Sequence, residues 1–196
     1  MKTFIFSFFL IWGSFCFSQT YYGQIVNTQN DTLTVQILIK GNMMFKNNKI
    51  LSLQEKITVL ENGNTKDYYP KDLKSFKIKM ENKKVITYDN INDSIFGERW
   101  YSNKVKLYYT LIKFETKQSP YFAIRRVFLI KKPNQQSVTQ LIPNGFSRLI
   151  TQEEMLEKFT DCPILADKIK SDEIKIKNED SLVEFIAEYE KTCFNN

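Results

Sequence analysis

The sequence contains no histidine. This absence excludes Ser-His-Asp triads, Cys-His pairs, imidazole zinc sites and HExxH motifs. The sequence also has no P-loop, no GxGxxG motif and no nucleophile elbow. We therefore predict no catalytic residue, no metal site and no cofactor. An enzyme built on this chain would have to use paired carboxylates, a Ser-Lys dyad, or a site made of Asp, Glu and backbone groups alone.

Long apolar runs are also missing, since no segment reaches the roughly 20 residues that span a bilayer. The longest run, residues 4–12, follows Lys2 and precedes small and polar residues. This order is typical of a secretory signal peptide. We predict a signal peptide over residues 1–18, a secreted or periplasmic protein that can associate with the cell surface, and no transmembrane segment after cleavage. An uncleaved anchor and lipidation of Cys16 are the alternatives, and Phe15 stands where a lipidation signal needs a small residue.

Cysteine is scarce, with Cys16, Cys162 and Cys193 as its three occurrences. Loss of the signal peptide would leave Cys162 and Cys193 in a compartment where disulfides persist. Cys162 precedes a predicted helix and Cys193 ends another, so antiparallel packing would bring them together. We predict a Cys162–Cys193 disulfide. The alternative is a reactive thiol at the helix start, but the chain has no CxxC motif and no histidine base.

Arginine is also rare among the 28 basic residues. Because arginine is the residue preferred for forked phosphate contacts, the net charge of +6 does not indicate a nucleic-acid partner. Residues 19–150 carry 21 basic and 10 acidic side chains, whereas residues 151–196 carry 6 and 12. We expect the acidic part to pack on the basic part; a basic face open to an anionic partner is the alternative.

Residues 19–150 are predicted to form a β-rich domain. Apolar and polar residues alternate over residues 32–39, and Asn62-Gly63 separates two further apolar runs, which indicates a hairpin. Residues 105–115 and 121–130 predict a long second hairpin, and residues 137–142 and 146–149 a short terminal pair. Residues 91–103 lack this regularity and are predicted to be a loop.

Residues 151–196 are predicted to form a helical tail that packs on the β-rich domain and does not fold independently. Thr151 and Glu154 match a capping box, and Ile150 and Met155 occupy the hydrophobic-staple positions around it. A second helix is expected to begin near Pro163. Asn178 precedes a third helix, in which apolar residues recur at helical spacing. The predicted fold class is α+β: an antiparallel β meander, as a curled sheet or partial barrel, followed by a short C-terminal helical tail.

Several segments resemble a group of uncharacterised secreted proteins from Bacteroidetes-type bacteria. These segments are the signal ending "FSQ", the opening "GQIV…NDTLTVQI", the strand "YYPKDLKSFKI" and the closing "FTDCPILADKI…VEFIAEYEKTC". The resemblance covers most of the mature chain. It implies secretion and a disulfide, and it implies no activity.

The functional prediction is a non-enzymatic module of the cell envelope that binds a protein or a glycan. Its candidate binding residues are Arg99, Trp100 and Tyr101, where a tryptophan follows a charged segment. One alternative is a histidine-free hydrolase with paired carboxylates in residues 89–98. Another is an extracellular structural or matrix component.

Overall fold

The computed structural model describes residues 18–40, 46–116, 119–133, 135–144 and 147–194. The predicted signal peptide lies outside these residues except for Ser18, and so does Cys16. Within the described residues, ten strands form one open antiparallel sheet, and four helices accompany it. The α+β prediction with a C-terminal group of helices is therefore confirmed.

The sheet follows the chain closely, with one rearrangement near its middle. The strands are β1 Ser18–Asn27, β2 Thr32–Lys40, β3 Ile57–Glu61, β4 Asn64–Tyr68, β5 Leu73–Lys79, β6 Val85–Ile91, β7 Ile95–Ser102, β8 Lys106–Thr116, β9 Ser119–Lys131 and β10 Thr139–Leu141. Their spatial order is β10-β9-β8-β7-β6-β5-β1-β2-β3-β4. The hairpin of β1 and β2 therefore pairs with β5, and β3 and β4 lie at the far edge.

Both predicted hairpins are present. Asn62 and Gly63 connect β3 to β4 with positive φ angles of 50° and 80°. This left-handed backbone is what a tight hairpin turn requires, and asparagine and glycine adopt it most readily. The longer hairpin pairs β8 with β9 from Lys106 and Lys131 onward.

A helix that the sequence did not reveal, α1, spans Lys46–Glu55. The prediction of a β-rich domain over residues 19–150 is wrong for this segment. Its apolar residues follow neither strand nor helix periodicity. The structure shows why: the buried residues Ile50, Leu51 and Leu53 contact different parts of the protein, since Ile50 and Leu51 join one core cluster and Leu53 another. A helix held between two clusters does not show a single apolar stripe.

The sheet curls around α1. The helix packs against β2 and β3 on one side and against β7 and β8 on the other. In a flat sheet, β3 and β8 would lie about 29 Å apart, since they are six strand spacings from each other. A helix of ten residues is only about 15 Å long. Curling therefore brings both groups of strands to the helix, and α1 bridges the concave face.

The predicted loop over residues 91–103 is wrong. β6 extends to Ile91, and β7 covers Ile95–Ser102 and pairs with both β6 and β8. Phe96 is fully buried. A side chain at Gly97 would collide with Ile91 Cδ1, because its Cβ would lie 2.4 Å from that atom. Gly97 and the charged residues after it are poor strand signals. They form a central strand here because the neighbouring strands accommodate them.

The prediction for the short terminal pair is only half right. Residues 139–141 form β10 against β9, whereas residues 147–149 form no strand. Phe146 lies outside the described residues. Leu149 N instead donates a hydrogen bond to Ile176 O in the C-terminal region, at 2.7 Å.

The C-terminal residues form α2 (Gln152–Lys158), α3 (Pro163–Lys170) and α4 (Glu179–Cys193). Thr151 caps α2 by accepting a hydrogen bond from Glu154 N, as predicted. The second half of the predicted capping box is absent, because Glu154 Oε1 accepts a hydrogen bond from Ile142 N at 2.6 Å. Pro163 begins α3, and Asn178 caps α4. Cys162 and Cys193 are joined by a disulfide, as predicted.

The C-terminal helices and the sheet share a core. One cluster contains Leu107 and Phe128 from the sheet together with Leu182, Ile186 and Tyr189 from α4. Three ion pairs join residues of the basic part to the acidic tail, namely Arg126–Glu179, Lys132–Asp161 and Arg148–Asp172. Among the described residues, no helix is long and apolar enough to cross a membrane.

Candidate functional site

A cleft of about 540 Å³ opens on the concave face of the sheet, between α1 and the N-terminal turn of α4. The central strands form its floor, where Ile39, Ile78 and Ile86 contribute side chains. Ile50 of α1 and Val183 of α4 form parts of opposite walls. The cleft exists because α1 bridges the curled sheet and leaves space above its centre.

Aromatic side chains form one wall of this cleft, which we call the aromatic wall: Tyr88, Trp100 and Tyr109. Trp100 and Tyr109 stack with ring centroids 5.0 Å apart and planes 6° apart. Phe128 packs beneath both rings at a tilt. Stacking of this kind holds large rings in one orientation. The cleft therefore has a rigid, amphipathic surface.

Glu98 lies beside the aromatic wall and lines the same cleft. Trp100 Nε1 donates a hydrogen bond to Glu98 Oε1 at 3.1 Å, which fixes the carboxylate next to the indole. Burial, together with the nearby charge of Glu98, raises the pKa of Tyr88 above its usual range. Burial also raises the pKa of Tyr109. Both phenols are therefore protonated at neutral pH.

Charged groups of opposite sign stand at the rim of the cleft. Lys49 of α1 donates a hydrogen bond to the Tyr21 hydroxyl at 2.9 Å and lies over the Tyr21 ring. On the other side, Glu179 and Asp180 belong to the first turn of α4. Glu179 accepts a hydrogen bond from Arg126 at 3.0 Å. The cleft thus offers hydrogen-bond donors and acceptors around an aromatic surface.

The convex face of the sheet carries a separate polar cluster. Asp89 pairs in register with Gly97, and Glu98 is the next residue along β7. Because successive side chains of a strand point to opposite faces, Asp89 and Glu98 lie on opposite sides of the sheet. Arg99 donates to both oxygens of Asp89, with Nε to Oδ2 at 2.7 Å. These hydrogen bonds raise the pKa of Arg99.

The structure separates the three predicted binding residues. Trp100 lies in the aromatic wall. Arg99 lines both the cleft and a cavity on the convex face, and Asp89 holds its guanidinium group on the convex face. Tyr101 is half-buried and packs against the core cluster shared with the tail. A register shift between Arg99 and Tyr101 accompanies this separation. Such irregularities change which face a side chain occupies.

Other carboxylates of the β region belong to separate turns and strand pairs. Asp67 accepts hydrogen bonds from Lys56 and Thr58. Asp72 accepts one from Tyr69 N at 2.9 Å, and Asp93 accepts one from Asn90 Nδ2 at 2.6 Å. Each therefore fixes local structure in its own turn or strand pair.

The sequence did not predict the residues that line the cleft together with Trp100. Tyr88 comes from the neighbouring strand β6, and Lys49 lies in the helix that was not predicted. The strand predicted over residues 105–115 implies that the adjacent Tyr108 and Tyr109 point to opposite faces. The structure agrees, since Tyr109 lines the concave cleft and Tyr108 the cavity on the convex face. That alternation was the available signal, although it did not show which face carried a cleft.

Within the described ranges, no group of three or more cysteine or acidic side chains is arranged to hold a metal ion. Comparison of the chain with family models, curated proteins and solved structures finds no match. The resemblance to secreted proteins of Bacteroidetes-type bacteria therefore stays a prediction.

Proposed function

We propose that this protein is a non-enzymatic module of the cell envelope and that it binds a glycan in the concave cleft. The aromatic wall with Glu98 beside it is the observation that supports this proposal. A sugar ring has an apolar C–H face that can pack on an aromatic ring, and hydroxyl groups that can donate hydrogen bonds to a carboxylate. Export by the predicted signal peptide would place the protein where glycans are abundant.

The shape of the site favours a glycan over a protein partner. A cleft of about 540 Å³ falls within the range of about 300–1,000 Å³ that small-ligand sites occupy. Protein partners instead tend to bury broad surfaces of about 800 Å² on each side. A concave site in which Trp100 is the partly exposed ring of the aromatic wall is better suited to one or two sugar units.

The positions of the carboxylates favour binding over hydrolysis. A paired-carboxylate hydrolase needs two carboxyl groups that flank one bond, about 5–10 Å apart. Within residues 89–98, Asp89 and Glu98 lie on opposite faces of the sheet, and Asp89 is neutralised by Arg99. The hydrolase hypothesis for this segment therefore lacks the convergence that it requires.

The sheet edges argue against a structural fibre. β4, at one edge, is exposed and carries Lys66, and Pro70 follows it. β10, at the other edge, has only three residues. Edge lysines, nearby prolines and short edge strands discourage pairing between chains.

The proposal is tested by binding of the mature protein to an array of neutral and amino-sugar oligosaccharides, followed by calorimetry with any sugar that binds. Glu98→Gln removes the carboxylate charge, and Val183→Trp fills the cleft from α4. Each is expected to weaken binding by about tenfold or more. Tyr22→Ala is the matched control, because Tyr22 is 67% exposed and does not line the cleft.

Two results would decide against this function. Absence of binding across the array, or binding that both cleft variants leave unchanged, would contradict a glycan site in the cleft. Release of new reducing ends from a bound oligosaccharide, abolished by Glu98→Gln, would instead show that the protein is a hydrolase.

A further inference from the structure

A second cavity, of about 320 Å³, lies on the convex face of the sheet. Side chains from β5 to β9 line it, and four of them are basic: Lys74, Arg99, Lys106 and Lys131. Asp89 is the acidic residue among the lining side chains. We call this feature the basic cavity.

Asp89 does not neutralise the lysines of the basic cavity. Its side chain is only 9% exposed, and Arg99 donates hydrogen bonds to both of its oxygens. This arrangement satisfies the Arg99 charge with a forked pair. The remaining positive charge of the cavity belongs to the three lysines.

Lys106 and Lys131 are directly opposite each other in the β8–β9 ladder. Their Cβ atoms are therefore about 4.5–5.5 Å apart, and like charges in this position destabilise a sheet. Within the described part of the chain, neither lysine has an acidic partner. Lys74 donates a hydrogen bond to a neutral group, Asn30 Oδ1, at 2.6 Å.

We propose that the basic cavity binds a small anion, with the phosphate, sulfate or carboxylate group of a ligand between Lys106 and Lys131. The Lys74 ammonium is held by Asn30 in the β1–β2 turn, on the other side of β5. An anion would convert the repulsion between Lys106 and Lys131 into two attractions. Lysine suits this role because its ammonium group acts as a compact point charge with three donors. The site is independent of the glycan cleft, since the two open on opposite faces of the sheet.

The test measures the melting temperature of the mature protein with sodium phosphate, sodium sulfate or sodium glucuronate, each against sodium chloride at equal ionic strength. A ligand that binds only the folded state raises the melting temperature, and we expect a rise of roughly 2–4 °C above the chloride value. The three salts distinguish phosphate, sulfate and sugar-acid ligands. Calorimetry with the most stabilising anion then gives its dissociation constant.

The double variant Lys106→Gln/Lys131→Gln is expected to weaken anion binding by about tenfold or more. In chloride alone it should melt higher than the native protein, because the like-charge pair is gone. Lys71→Gln/Lys79→Gln is the matched control: it removes the same charge from two exposed lysines outside the cavity. The control should keep the native response to the anion.

The proposal is overturned if none of the three anions stabilises the native protein beyond chloride. It is also overturned if both double variants lose the response equally, since the effect would then reflect net charge alone. A response that the Lys106/Lys131 variant keeps in full would place the anion elsewhere.

Discussion

The side-chain amide of Gln54 makes the backbone hydrogen bonds with Leu111 that a neighbouring strand would otherwise make. Gln54 Nε2 donates to Leu111 O at 2.9 Å, and Leu111 N donates to Gln54 Oε1 at 2.7 Å. The pairing of β7 with β8 ends at Glu98 and Tyr109, just before this point. One side chain of α1 thus completes the backbone hydrogen bonding of β8 and holds the helix in place beside the cleft.

Gln54→Met should therefore destabilise the protein well beyond the loss of a surface contact. The change leaves the buried N–H and C=O of Leu111 without partners, and each such group costs about 1–3 kcal/mol. We expect the free energy of unfolding, measured by chemical denaturation, to fall by about 2–4 kcal/mol. Glu55→Gln is the control on the same helix: it breaks an exposed pair with Lys113 and should change stability by less than about 1 kcal/mol. Equal effects of the two variants would refute the structural role of Gln54.

The disulfide holds the start of α3 to the end of α4. Its cysteines are 31 residues apart in sequence, with Cα atoms separated by 5.9 Å. Closing a loop of this length removes conformational freedom from the unfolded chain, worth roughly 3–4 kcal/mol. We expect Cys162→Ala/Cys193→Ala to lower the free energy of unfolding by about this amount. Thiol titration of the exported, unreduced protein provides the direct check, and two reactive thiols would contradict the bond.

Lys132 connects the end of β9 to the C-terminal helices through a buried ammonium group. Its side chain is 5% exposed, and its Nζ atom donates to both oxygens of Asp161 and to Lys158 O, each at 2.9 Å. Tyr189 also donates to Asp161, at 2.6 Å. Lys132→Met should lower the free energy of unfolding by about 2 kcal/mol, because Asp161 and the carbonyl lose a charged donor.

A double-mutant cycle isolates this interaction. Lys132→Met and Asp161→Asn should be less destabilising together than the sum of their separate effects, since either change alone removes the pair. Lys158→Met serves as the control because Lys158 pairs only with the exposed Glu157 side chain. Strict additivity would show that Lys132 and Asp161 do not stabilise each other.

Three buried tyrosines should make the fold sensitive to alkali. Burial is the largest cause that raises the pKa of Tyr88, Tyr108 and Tyr189, and nearby carboxylates add to it. In the unfolded chain these phenols ionise near pH 10. Since the folded pKa is the higher one, this stabilisation is complete below about pH 10 and is lost as the pH rises further.

Tyrosinate absorbance, recorded together with circular dichroism, tests this expectation. Of the ten tyrosines, at least these three should ionise only in the transition in which the fold is lost. The guanidinium-unfolded protein is the reference, in which all ten should ionise near pH 10. Complete ionisation while the dichroism stays native would contradict the burial of these phenols.

Local sequence signals predicted much of this fold. Three features depend only on residues that are close in the chain: the Asn62-Gly63 turn, the Thr151 cap and the Pro163 helix start. Their sequence signals can therefore be recognised without knowing the fold. The Cys162–Cys193 pair was also predictable, because the predicted signal peptide left two cysteines, each at the end of a predicted helix. The β7 strand was missed, since Gly97, Glu98 and Arg99 are poor strand signals until neighbouring strands accommodate them.

The candidate site was predictable only in part. Trp100 was identified as a binding residue, but its sequence neighbours Arg99 and Tyr101 point elsewhere, and its spatial partners Tyr88 and Tyr109 come from other strands. Asp89 and Glu98 likewise lie on opposite faces of the sheet, although their closeness in sequence suggested that they form a carboxylate pair. These relationships depend on strand register, which no short segment encodes by itself.

The sequence alone determined the elements that local chemistry specifies: the hairpin turns, the helix caps, the disulfide pairing and the imbalance of charge between sheet and tail. The tertiary structure decided where those elements meet. It placed α1 across the concave face, assembled the aromatic wall from three strands and set Lys106 opposite Lys131. The physical reason is that turns and caps arise from bonds between near neighbours, whereas clefts and charge clusters arise from the curl and register of a sheet whose strands are far apart in the chain.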